Sequence, residues 1–306
     1  MLKTLSVADK KILSGSLRSK LIGQTNIMES SCDALSLPKG SIGVFDSGVG
    51  GLTCVKELIR LMPHEDIVYL GDTARVPYGT RSRQTIVDYA RQDIHFMEKH
   101  NVKLLIVACG TVSAVMQTES LFKDSTINCY SGVIIPAVDA ACEATKNGKI
   151  GVIATQASIR SGCYENEIHR INPKIEVFSR AGTLLVPLAE SGYTSVDCEP
   201  AQFFVREYLS DIKQKGVDTL IMGCTHYPLF EEAVGAFMGE SVTLISPGAV
   251  TAALAYDALK AQNALCSDEH KAKIELYCTD SAELFEENVN RFLGCGIDAQ
   301  ISQCRL

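Results

Sequence analysis

Two cysteines in this 306-residue chain stand at matched positions: Cys109 closes the apolar run Leu104-Leu105-Ile106-Val107-Ala108, and Cys224 closes Leu220-Ile221-Met222-Gly223. Each run has the length of a buried strand. Each then turns through a threonine, Thr111 or Thr225, into a segment with helical apolar spacing, Val112 to Phe122 and Pro228 to Phe237. In open α/β sheets ligands bind beyond the carboxyl ends of the strands, so both sulfurs are expected where a ligand lies. A helix amino terminus beside each would favour thiolate. Two such thiols admit three chemistries: a disulfide, a Cys/His metal site drawn from Cys109, Cys224, His226 and Asp46, or acid/base work from both sides of a substrate. Structural zinc usually shows close paired ligands, and only Cys224 and His226 are that close here, which weakens the metal reading. A buried, inert thiol is the ordinary fate of any single Cys. It fits poorly with two of them at matched strand ends beside Asp46 and His226.

The elements that must position these groups follow from periodicity. Ser41 to Phe45 is an apolar strand running into Asp46-Ser47 and the glycines Gly48, Gly50 and Gly51, before a helix carrying Leu52, Val55, Leu58 and Ile59. A glycine-rich turn at a helix start suits an anion, yet the spacing matches neither nucleotide-binding glycine motif. Asp46 reads either as a helix N-cap or as a carboxylate at a strand end, where a catalytic group would sit. Ile67 to Leu70 is a second strand, and the Pro77-Tyr78-Gly79 turn after it offers backbone N–H groups that can hold a carboxylate. A helix over Ser82 to His100 leads to the strand that ends at Cys109, and right-handed crossovers bring Asp46, the turn and Cys109 to one sheet edge.

Ser131 to Pro136 is expected as another strand, and Ala137 to Thr145 as the helix leading into a second domain. That domain repeats the plan. It has strands at Lys149 to Thr155 and Ile175 to Phe178, an apolar segment from Leu184 that ends on Glu190, a helix from Pro200 to Lys213, and the strand delivering Cys224-Thr225-His226. Beyond Val250, helices are expected around Ala252, Leu254 and Leu259 and again around Leu276, Leu284 and Phe292, completing the first domain. The predicted fold class is α/β, with two pseudo-symmetric doubly wound α/β domains and the active site in the cleft between them. Residues 41–136 plus 247–306 form the first domain, 137–246 the second, and 1–40 an N-terminal extension.

Composition narrows the functional classes. A formal charge of -7 with no long basic run argues against direct nucleic-acid contact. The 12 cysteines form no CxxC pair and no apolar signal segment is read ahead of them, which points to reduced thiols in a cytoplasmic protein. No apolar run approaches ~18 residues, so no membrane span is expected.

Four segments together resemble bacterial glutamate racemases of the cofactor-independent aspartate/glutamate racemase superfamily. They are Phe45-Asp46-Ser47-Gly48-Val49-Gly50-Gly51, Ala74-Arg75-Val76-Pro77-Tyr78-Gly79, Ala108-Cys109-x-Thr111 and Gly223-Cys224-Thr225-His226-Tyr227-Pro228-Leu229. The resemblance implies interconversion of L- and D-glutamate for peptidoglycan synthesis, with no cofactor and no metal. It implies that Cys109 and Cys224 are opposed bases, Cys109 acting on D-glutamate and Cys224 on L-glutamate. Asp46 is then the supporting residue of Cys109, and His226 with Glu190 those of Cys224. Asp46, Ser47, Tyr78, Gly79, Gly110, Thr111, Thr225 and His226 match positions that bind substrate, largely through backbone N–H and hydroxyl donors. A homodimer is implied as well, with a cell-wall precursor activator and DNA gyrase as further partners known in the family. Gly110 departs from the family's Cys-Asn-Thr, removing an amide whose hydrogen bond would contribute about 0.5–1.5 kcal/mol. A racemase of another acidic amino acid such as aspartate, and a fold-retaining partner-binding protein, are the alternatives.

Overall fold

A computed structural model of the chain describes residues 39–127, 129–294 and 296–306; the expected extension, save its last two residues, lies outside them. The described residues form two compact units, one holding 39–133 with Thr251–Leu306, the other Ile134–Val250.

The first unit is built on β1 (Ser41–Asp46), β2 (Ile67–Gly71), β3 (Val102–Val107) and β4 (Tyr130–Gly132). The second carries β5 (Lys149–Ala154), β6 (Glu176–Ala181), β7 (Thr219–Gly223) and β8 (Thr243–Ile245). The returning chain adds β9 (Ile274–Cys278) and β10 (Gln300–Gln303) to the first unit. Its sheet runs β10-β9-β2-β1-β3-β4, the other β6-β5-β7-β8. All pairings are parallel. Each sheet therefore contains the same order, second-first-third-fourth strand. Parallel strands buried on both faces need continuous apolar runs, and β2 and β7 are buried at every residue.

Helices cover these sheets. Arg83–Glu98 begins at Ser82, whose hydroxyl caps the Thr85 N–H, and turns Ile86, Val87, Ala90, Ile94 and Met97 into a core with Phe45, Leu105 and Val107. Glu199–Gln214 does the same in the second unit with Ala201, Val205, Leu209 and Ile212. A buried ion pair ties the returning chain down: Lys103 Nζ lies 2.6 Å from Glu65 Oε2 and donates to the Ala264 carbonyl at 2.8 Å. Glu65 Oε1 takes the Cys266 N–H at 2.6 Å.

Several local expectations are corrected. The strand expected over Ser131 to Pro136 stops at Gly132, and the helix Ile134–Ala144 takes over. Pro136 sits in its first turn, where a missing N–H costs nothing. The helix expected from Val112 to Phe122 is Gly110–Met116, and Phe122 instead stacks on Tyr130, with ring centroids 3.6 Å apart. Pro228 to Phe237 divides into a 3-10 turn, Tyr227–Phe230, and a helix, Glu231–Met238. The apolar segment from Leu184 to Glu190, given no element type by its sequence, contains the helix Leu185–Glu190. Leu276, expected in a helix, is central in β9, because β2 and β10 supply ladder partners that local periodicity cannot reveal.

Candidate active site

In the first unit the chain leaves β1 at Asp46 and doubles back through Ser47 to Gly51. Gly51 occupies the N-cap position of the helix Leu52–Leu61, so Asp46 is not that cap. Its Oδ2 instead accepts the Gly51 N–H at 2.7 Å. A Cβ on Gly51 would lie 2.7 Å from Asp46 Cβ and 3.0 Å from the Tyr69 hydroxyl, so this return requires glycine. Tyr69, fully buried in β2, holds the turn from below by donating to the Gly48 carbonyl at 2.7 Å.

Cys109 follows β3 and occupies the N-cap position of Gly110–Met116. Its Sγ lies 3.7 Å from Ser47 Oγ. Burial pushes the Cys109 thiol up to about 12, the Asp46 charge adds to this, and hydrogen bonds from the Val112 N–H and Ser47 oppose it. The expected help from the helix terminus is therefore outweighed: this thiol holds its proton at neutral pH. Thr111 is buried in the first turn of that helix and Gly110 is its first residue. Asp46, Ser47, Cys109, Gly110 and Thr111 thus stand on two adjacent strand ends.

The turn after β2 brings Pro77, Tyr78 and Gly79 to the start of the 3-10 segment Tyr78–Thr80. The Tyr78 side chain points inward, its Oη contacting Asp72 Oδ2 and lying 3.0 Å from Asp93 Oδ2. Arg75 closes the cluster, with Nε 2.5 Å from Asp72 Oδ2 and a second nitrogen 3.2 Å from Asp93 Oδ1. Asp72, Arg75 and Asp93 were not singled out from sequence. A signal for Asp93 exists: it follows Ala90 by three residues and precedes Met97 by four, an ionisable residue on the buried face of its helix.

In the second unit Cys224 follows β7. Gly223 makes the corner possible, since a Cβ there would lie 2.7 Å from the Tyr164 hydroxyl and 2.9 Å from Ala154 Cβ. His226 Nδ1 lies 3.8 Å from Cys224 Sγ and 3.5 Å from Thr225 Oγ1, while its Nε2 lies 2.9 Å from Glu190 Oε1. Burial opposes a charge on His226, but the bonds to Cys224 and Glu190 and their charges prevail and raise it to about 10. Imidazolium is its form at neutral pH, with both ring nitrogens donating. Tyr227 braces the corner from below, donating to the Gly182 carbonyl at 2.9 Å.

Each unit therefore presents a buried thiol with its own polar partners, Asp46 and Ser47 in one case, His226 and Glu190 in the other. Protons can be held or exchanged at both sulfurs.

The Asp/Glu/Hydantoin racemase family model matches residues 42–255. A glutamate racemase from Geobacter metallireducens is 43% identical over 84% of this chain and 94% of its own length. A crystal structure of the glutamate racemase isoform RacE1 from Bacillus anthracis superposes with TM-score 0.80 at 36% identity, covering 87% of this chain and 98% of that one. One from Francisella tularensis, in complex with D-glutamate, gives 0.78 at 36% identity and the same coverage. The chain belongs to the Asp/Glu/hydantoin racemase family. It is an amino-acid racemase of the cofactor-independent kind.

Proposed function

We propose that the chain is a glutamate racemase working by two-base proton transfer, with Cys109 and Cys224 on opposite faces of the substrate Cα. In the L-to-D direction the Cys224 sulfur, as thiolate, takes the Cα proton, and the electron pair remains on carbon, delocalised into the adjacent carboxylate. The Cys109 thiol then gives its proton to the other face. In the D-to-L direction the two exchange parts. The observation that carries this reading is a buried thiol just beyond a central strand in each unit, Cys109 Sγ 3.7 Å from Ser47 Oγ and Cys224 Sγ 3.8 Å from His226 Nδ1. Cys109 is pushed up to about 12 and so arrives as a donor. Cys224 lies beside an imidazolium whose own value is about 10.

Asp46 and the His226–Glu190 pair are proton-tuning and orienting groups rather than the bases that touch Cα. The Cα–H of an amino acid is a far weaker acid than a thiol, so the carbanion needs fixed donors in a water-poor site. Ser47, Thr111, Thr225 and the backbone of Tyr78 and Gly79 supply them, with Gly110 leaving room where a larger residue would reach the amino end. The product, D-glutamate, serves peptidoglycan synthesis.

Solvent deuterium exchange at Cα of L- and of D-glutamate, in wild type, Cys109→Ser and Cys224→Ser without added cofactor, tests the reading. Both enantiomers exchange in wild type, and each variant loses racemisation. A wild type that exchanges neither enantiomer, while exchanging aspartate, would assign the chain to the shorter substrate. The comparison must be made on rates, because one methylene contributes only ~1–3 kcal/mol of discrimination.

A further inference from the structure

Tyr78 has one hydroxyl proton and two carboxyl neighbours. Its Oη contacts Asp72 Oδ2 and lies 3.0 Å from Asp93 Oδ2, and both acids are fully buried. A phenol donates once, so the second carboxyl oxygen meets a lone pair unless it brings a proton of its own. Asp72 is the better place for negative charge. Its Oδ2 is 2.5 Å from Arg75 Nε, and its Oδ1 accepts the Thr279 hydroxyl at 2.8 Å. Asp93 has only the second, longer bond to Arg75, at 3.2 Å. Charge balance agrees: with both acids ionised, two carboxylates of zero exposure would face one cation that is itself 19% exposed, and a single proton restores neutrality.

We propose that Asp93 is a protonated carboxylic acid in the folded protein and donates to Tyr78 Oη, making it a positioning residue for the Pro77-Tyr78-Gly79 turn. The proton runs no further. Asp93 Oδ2–H points to Tyr78 Oη, Tyr78 Oη–H to Asp72 Oδ2, and Asp72 to Arg75 and Thr279. Burial first, and then the Asp72 charge, hold the Asp93 carboxyl well above the usual carboxylate range, with Arg75 and the Tyr78 hydrogen bond opposing and Asp46 adding a little. Cys304 is also within reach of this pair: burial first and then Cys278 push its thiol up to about 11, with Asp72 and Asp93 adding to this. Arg75 is itself steered, donating to Gln92 Oε1 at 2.6 Å and lying 4.1 Å above the Tyr89 ring. The phenol ring is thereby fixed at its far end, and the backbone that carries it becomes a preorganised carboxylate cradle rather than an adaptable loop. The role at the turn rests on the glutamate-racemase reading, whereas the proton itself does not.

The experiment uses the full chain at about pH 8, where Asp139, whose carboxyl burial pushes up to about 6, is ionised. An infrared difference spectrum of wild type minus Asp93→Asn should show the carbonyl stretch of one protonated carboxylic acid, shifted in Tyr78→Phe. No such band in wild type overturns the proposal. In kinetics, Asp93→Val should raise KM for glutamate about tenfold with kcat within about twofold, because the cradle is loosened rather than the bases. Asp93→Asn should bring KM back, since its amide N–H donates to the same oxygen. If Asp93→Val does not fold, Tyr78→Phe carries the same KM test. A fall in kcat with KM unchanged, or no recovery in Asp93→Asn, overturns the positioning role. A wild type inactive on glutamate removes the glutamate reading and leaves the infrared result to decide the proton.

Discussion

His226 Nε2 lies 2.9 Å from Glu190 Oε1, and the same ring reaches toward Cys224 Sγ with its other nitrogen. Glu190 is thereby linked to a thiol it does not touch. Replacing it with Gln keeps an acceptor for the ring but removes the charge, so His226 titrates below its value of about 10. A raised histidine contributes stability that is complete below about 6.5 and lost as pH climbs through about 10. The Tm difference between wild type and Glu190→Gln should therefore be largest in mild acid and vanish at high pH. With the Glu190 side chain 39% exposed, its size is about 1 kcal/mol or less. A difference that grows with pH would contradict the assignment.

Asp46 raises the Cys109 thiol through its charge, second only to burial. Asp46→Asn should lower that value and make Cys109 react faster with iodoacetamide at fixed pH, measured by peptide mapping to separate it from the other thiols. Racemisation should fall at the same time, because the group that holds the proton on the donor thiol is gone. Slower alkylation of Cys109 would show that the carboxylate acts in the opposite sense.

Gly51→Ala places a methyl group 2.7 Å from Asp46 Cβ, with Tyr69 on the other side. Backbone must move, at a cost of about 1–3 kcal/mol. Urea unfolding should show this loss together with reduced kcat, because the strand end carrying Asp46 is the part displaced. A variant with full stability and activity would mean that the turn yields easily.

Lys103 and Glu65 have side chains only 2% exposed each. Lys103→Met leaves the Glu65 carboxylate without its cation and should cost about 3–5 kcal/mol, whereas the double variant Lys103→Met, Glu65→Leu should recover most of it. Two units can unfold separately, so the transition should be followed by two probes.

The chemistry-bearing strand ends were legible because a buried parallel strand is a continuous apolar run, and the residue that breaks it is conspicuous. Cys109 and Cys224 stand immediately beyond such runs, as does Asp46. Features that depend on distant partners were hidden. Leu276 becomes a strand residue only because β2 and β10 flank it. The inward turn of Tyr78 depends on Asp93, fifteen residues away on a helix. The state of Cys109 escapes local reading, because a helix terminus is visible in the sequence while the burial that overrides it is not.

The Ile134–Val250 unit is one uninterrupted stretch, while its companion is assembled from pieces on either side of it. During synthesis the inserted unit has all four of its strands as soon as Val250 has emerged. The earlier piece must wait, with the flank of β2 that later pairs with β9 uncovered until residues 274–278 arrive. Translation from the amino terminus thus gives the half bearing Cys224 a head start, and leaves the half bearing Cys109 with an open sheet edge exposed to mispairing for as long as the insert takes to be made.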